Sequence, residues 1–143
     1  MTRVIEDILE KEGMYVSNTK GISMLPTLKE GRDAVVILPC TQRLKKYDVA
    51  LYRRGNDYVL HRVIKVLPDS YVCRGDNCIA REYGITDANV LGKLAECHRR
   101  DKRISTDSLS FKLGSRLIVL CHPAVSLNLK IKAKLKKHKK GGI

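Results

Sequence analysis

The chain of 143 residues is long enough for one domain with a buried core, and its 43% hydrophobic content excludes wholesale disorder. Its formal charge of +13 is unusual, yet Lys130, Lys132, Lys134, Lys136, Lys137, Lys139 and Lys140 supply more than half of it, so the body need not bind anything anionic. No run approaches the ~20 apolar residues that span a bilayer.

The amino terminus, Met1-Thr2-Arg3-Val4-Ile5-Glu6-Asp7, is acidic where a secretory leader is apolar. The expected location is therefore the cytoplasm, with peripheral placement at a membrane left open. Cys40, Cys73, Cys78, Cys97 and Cys121 are odd in number, include no Cys-x-x-Cys pair and share no zinc-like spacing with histidine. They read as reduced, mostly structural thiols of a reducing compartment. Neither a metal nor another cofactor is expected.

Thr2 is placed to cap a short helix whose apolar face is Val4, Ile5, Ile8 and Leu9, and Gly13 ends it. A lid over the core or a docking surface is the role expected of it. Met14-Tyr15-Val16 then leads into the stretch from Gly21 to Gly31. Gly21 lets another backbone approach closely, and Pro26, which lacks an N–H and fixes φ, keeps the segment after Ser23 out of a sheet ladder. On local chemistry alone Ser23 is an ordinary turn serine. The same placement could present its Oγ in a cleft, as a nucleophile requires.

From residue 33 to 97 the signals are mostly β. Asp33 to Leu38 is an apolar run ended by Pro39, and Asp48 to Tyr52 is a second, followed by the turn Arg53-Arg54-Gly55-Asn56-Asp57. Tyr58 to Val66 alternates for much of its length, and Leu67 to Ser70 turns it into Tyr71-Val72-Cys73-Arg74, so the pair reads as a hairpin. Val90 to Cys97 is the last expected strand. Short strands joined by turns argue for a coiled antiparallel sheet or small barrel. Arg99 to Arg103 reads as a surface turn, and residues 104–116 as a polar link. The final section alternates like a strand, yet Leu120, Ala124, Leu127, Ile131 and Leu135 also recur at helical spacing. Lysine, leucine and alanine content, with Pro123 suited to a first turn, favours a basic helix.

Gly-Ile-Ser-Met-Leu-Pro-Thr-Leu at 21–28, with Gly31-Arg32-Asp33 after it, resembles the nucleophile box of the type I signal peptidases and of the related LexA-type self-cleaving domains. Tyr58-Val59-Leu60-His61-Arg62-Val63-Ile64-Lys65-Val66 and Arg74-Gly75-Asp76-Asn77 resemble two further blocks of that family in the same order, and Val90-Leu91-Gly92-Lys93-Leu94 resembles its closing strand. The resemblance covers residues 15–103. It leaves an N-terminal helix at 1–14 and a linker with a basic segment at 104–143 outside it.

The resemblance implies a mainly β fold and a serine endopeptidase that cleaves a peptide or leader segment bound extended; the expected lack of membrane anchors is a departure from true signal peptidases. Ser23 is the implied nucleophile, with Gly21 and Met24 in its loop. A serine needs a base during attack, and the His-Arg-Val-Ile block resembles the endoplasmic-reticulum and archaeal type, which makes His61 that base. Imidazole, with a pKa near ~6.5, suits neutral pH. His61 also reads as a half-buried strand histidine among Leu60, Val63 and Tyr58. Lys65 is the rival base, because alternate strand positions share a face. Asp76 is the implied acid orienting the base, with Glu82 as the alternative, and Asp76 equally suits a turn carboxylate. Gly21 stands where many signal peptidases carry a hydroxyl, so backbone N–H groups, chiefly that of Ser23, would hold the oxyanion.

A non-catalytic module is the second class of function, binding a peptide or, through the C-terminal lysines, an anionic membrane surface. A solvated lysine terminus accounts for the same residues. Seven aromatics, none in the tail, serve base stacking poorly, so nucleic acid is not the expected partner. For a LexA-like self-cleaving regulator the stretch before Ser23 is short, and such a regulator would need a lysine base. The sequence leaves substrate and oligomeric state open.

Overall fold

The computed structural model describes residues 3–141. Helix α1 (Val4–Glu12) buries Ile5 and Leu9 but leaves Val4 exposed, so its apolar face is narrower than the sequence suggests. Arg3 occupies the N-cap without a side-chain bond, and the expected cap, Thr2, lies outside the described residues. Gly13 closes the helix in the left-handed region at φ 74°, its N–H donating to the Leu9 carbonyl at 3.0 Å.

Eight strands follow: β1 (Tyr15–Asn18), β2 (Asp33–Leu38), β3 (Val49–Arg54), β4 (Asp57–Val66), β5 (Tyr71–Arg74), β6 (Glu82–Ile85), β7 (Val90–Arg99) and β8 (Lys102–Ser105). They form one antiparallel sheet in the order β1-β2-β7-β3-β4-β5-β6, curled into a half-barrel, with β8 on the flank of β7. The mainly β fold with terminal helices is as expected. β1, β6 and β8 are each four residues long, and their mixed polar sequences carry too few alternations to be read as strands. Only a paired neighbour completes them.

Residues 104–116, expected as a link, instead finish β8 and begin helix α2 (Leu109–Leu120). Ser108 caps α2, its Oγ accepting from the Phe111 N–H at 3.3 Å. Phe111 packs on the core and Ser115 is buried, which holds one side of the helix against the sheet. Helix α3 (His122–Gly141) follows after Cys121, so the helical alternative holds for the basic segment.

β3 is buried on both sides, and its alternate residues serve two clusters. Val49 and Leu51 join Ile5, Leu9, Leu28, Val35 and Ile37, whereas Ala50 and Tyr52 join Val59, Val63, Tyr71 and Cys73. The turn into β4 is only Gly55-Asn56, because Arg54 already pairs with Asp57. That two-residue connection fixes the register and puts Ala50 opposite His61. Tyr52 is then the same-face diagonal neighbour of His61, a separation aromatic side chains span.

Candidate functional site

Ser23 lies on a tight turn, where the Leu25 N–H donates to the Ile22 carbonyl at 3.2 Å and the Leu28 N–H to the Met24 carbonyl at 2.9 Å. Gly21 precedes it at φ 76°, with no atom within 4 Å of where a Cβ would stand. The expected close approach of another backbone at Gly21 is therefore absent. Glycine is needed there for its left-handed conformation, and its N–H donates to Glu30 Oε2 at 3.3 Å.

The turn after β5 fastens this loop. The Asn77 N–H donates to the Ser23 carbonyl at 2.9 Å, and the Asn77 side-chain amide donates to the Ile22 carbonyl at 3.1 Å. The Asp76 N–H meets the sulfur of buried Met24 at 3.5 Å, and the Thr27 hydroxyl donates to Asp76 Oδ2 at 2.5 Å. Gly75 is where three groups converge. A Cβ on it would lie 2.6 Å from the Ser23 carbonyl oxygen, 2.6 Å from Cys78 Sγ and 3.1 Å from His61 Nε2. Any side chain there would force backbone apart, so this glycine permits Ser23 and His61 to approach.

Ser23 and His61 line one cavity of about 540 Å³, together with Glu82 and Cys78. Tyr15, Ser17 and Asn18 of β1 line it too, so the two end strands of the sheet, β1 and β6, converge on it. No hydrogen bond joins Ser23 Oγ to His61 among the described residues. Among the described residues the Ser23 N–H has no acceptor, and the buried hydroxyl of Thr19, a residue that also lines the cavity, has no partner.

The other ring nitrogen of His61 faces inward. Nδ1 lies 3.3 Å from the Tyr52 hydroxyl and 3.6 Å from Glu82 Oε1. The Tyr52 hydroxyl donates to Glu82 Oε2 at 2.7 Å, and Arg54 pairs with the other carboxylate oxygen. A hydroxyl has one proton, and Tyr52 gives it to the carboxylate. Its lone pair therefore faces Nδ1, which must carry the imidazole proton. The unprotonated nitrogen is then Nε2, which lies 3.1 Å from where a Gly75 Cβ would stand.

Burial lowers the His61 pKa below its ordinary 6.5; the Glu82 carboxylate opposes this and Arg54 adds to it. Tyr52 is pushed well above the phenol range, first by burial and then by Glu82. Burial, reinforced by Glu82, also raises the Cys78 thiol, so this cavity cysteine stays protonated at neutral pH.

Asp76 is elsewhere engaged. Arg62, fully buried on the face of β4 opposite to His61, grips it through Nε to Oδ1 and Nη2 to Oδ2, each at 2.8 Å. Among the described residues no hydrogen bond links Asp76 to the imidazole; its charge acts on His61 through space. Glu82, the alternative acid, is the carboxylate beside Nδ1. Lys65 is exposed and lines a separate cavity with Lys46, Tyr47 and Arg74. A register shift between Val63 and Lys65 breaks the alternation that would have carried it to the face of His61.

Tyr52, Arg54, Gly75 as a point of approach, and Thr19 were not singled out from sequence. Tyr52 had a usable signal, since a two-residue Gly-Asn turn fixes its place beside His61, whereas a five-residue turn does not. Neither the known protein-family models nor the curated protein sequences match this chain.

Proposed function

We propose that this protein is a serine endopeptidase cleaving a peptide or leader segment, with Ser23 as nucleophile and His61 as general base. One juxtaposition carries the reading. Ser23 and His61 line a single cavity and meet at Gly75, and the inward nitrogen of His61 is held by Tyr52 and Glu82. The resemblance of the serine, histidine and Gly-Asp-Asn blocks to signal peptidases supports the same chemistry.

In that chemistry Ser23 Oγ attacks the scissile carbonyl as Nε2 takes its proton. The imidazolium so formed keeps its Nδ1–H toward Tyr52, whose own proton remains on the Glu82 side, and the carboxylate stabilises the positive ring. Glu82 acts through Tyr52, a role the resemblance gave to Asp76. The Ser23 N–H has no acceptor among the described residues and is the donor proposed for the oxyanion. The substrate lies extended and adds to the free edge of β1, main-chain pairing giving affinity. A lysine-based mechanism is poorly served, because Lys65 opens on a different cavity.

A fluorophosphonate probe tests the assignment. Labelling should fall on Ser23, disappear in Ser23→Ala and drop at least about a hundredfold in rate in His61→Ala with the circular dichroism spectrum kept. Labelling that persists in Ser23→Ala would overturn the reading.

A further inference from the structure

Residues 108–143 contain nine lysines and arginines and no acidic residue. Within them, α2 turns Phe111, Ser115 and Ile118 toward the sheet. Its other side exposes Leu109 (73%), Leu113 (53%), Leu117 (58%) and Leu120 (75%) at intervals of four, four and three residues, one continuous stripe. α3 repeats the pattern with Leu127 (59%), Ile131 (49%) and Leu135 (60%), again one above the other. Lys130, Lys134 and Lys137 border that second stripe on one side, and Lys132, Lys136 and Lys139 on the other, all exposed. Seven large aliphatic side chains are thus left in water by helices otherwise rich in cations.

We propose that α2 and α3 dock the protein on the surface of an anionic lipid bilayer, with the leucine stripes in the acyl boundary and the lysines on the headgroups. Charge and apolarity together select this occupant. Lysine flanks complement anionic headgroups, and a stripe of leucines between them has acyl chains to enter. A polyphosphate backbone would use the lysines and leave the leucines in water. No helix among the described residues is long and apolar enough to cross a membrane. The arrangement is independent of Ser23 and His61, so it stands or falls separately from the peptidase reading.

Co-sedimentation of the full chain with vesicles tests it, using phosphatidylcholine alone and phosphatidylcholine with about a third phosphatidylglycerol. The protein should pellet with the anionic vesicles and stay in solution with the neutral ones. The exposed-site variants Leu117→Gln/Leu120→Gln and Ile131→Gln/Leu135→Gln should each weaken partitioning about tenfold while thermal unfolding is unchanged. Ser23→Ala should bind like the parent. Failure to pellet with anionic vesicles overturns the proposal, as does binding that the leucine variants leave intact, which would mean charge alone. A dimer in sedimentation velocity that these substitutions dissociate would also overturn it, since a second copy would then cover the stripes.

Discussion

His61 gains its directionality from two neighbours, Tyr52 and Glu82, on the side of its inward nitrogen. Tyr52 accepts the Nδ1 proton only because its own is committed to Glu82. The Glu82 charge also partly offsets the burial that lowers the His61 pKa. The sign of the pH dependence follows. A base must be neutral to accept a proton, so kcat/KM falls as pH drops through the His61 pKa, and this acid limb lies below 6.5. Glu82→Gln removes the charge that raises that pKa. The limb should move to lower pH while kcat falls about 10²–10⁴-fold. Tyr52→Phe, which keeps the packing but breaks the proton chain, should lower kcat with a smaller movement of the limb. Profiles of kcat/KM against pH for both variants check this, and an unmoved limb in Glu82→Gln would sever Glu82 from the base.

At the scale of elements, the site exists because the serine loop is bolted to the β5–β6 turn, and β4 serves both ends of the bolt. Its two adjacent residues point oppositely, His61 toward Tyr52 and Glu82, Arg62 toward Asp76 and Thr27. Arg62 has no exposure and also donates to the Tyr47 carbonyl at 2.9 Å. Removing one partner of such a buried pair strands the other charge, so Asp76→Ala should destabilise by about 3–5 kcal/mol, read as a lower urea midpoint. Because Asp76 also holds Thr27 and Met24, the serine loop should loosen, and Ser23 labelling should slow together with stability. An Asp76→Ala protein of full stability but no reactivity would instead make Asp76 part of the proton chain.

Across the whole molecule, two carboxylates tie distant elements together. Glu6 of α1 is bonded by Arg53 and Tyr58, and Arg53 above all holds it at about 2 against an ordinary 4.5. Burial pushes Asp33 of β2 upward, but Arg99 of β7 and Arg32 outweigh it and hold it at about 2 against 3.8. Both folded pKa values are depressed, so the stability they add is fully present above the ordinary values and is lost as pH falls toward about 2. Urea midpoints should decline steeply between about pH 4.5 and 2, and Glu6→Gln should flatten part of that decline. A midpoint independent of pH across this window would show that these pairs contribute nothing to folding.

The sequence by itself determined the long strands, the N-terminal helix, the basic C-terminal helix and the turn at Ser23, while the pairing of Ser23 with His61 as candidates came from the resemblance of their blocks to those of signal peptidases. Apolar alternation, Gly and Pro punctuation and side-chain chemistry are local properties of the chain. Which acid stands beside the imidazole was decided only by tertiary structure. Asp76 and Glu82 are six residues apart on one turn-and-strand segment, and their roles separate only once Arg62 claims the first and the register of β3 against β4 brings Tyr52 to the second. The short strands β1, β6 and β8, the bulge that turns Lys65 away, and the burial that lowers the His61 pKa likewise arise from neighbours distant in sequence. Pairing and desolvation belong to the folded chain, and no window of residues carries them.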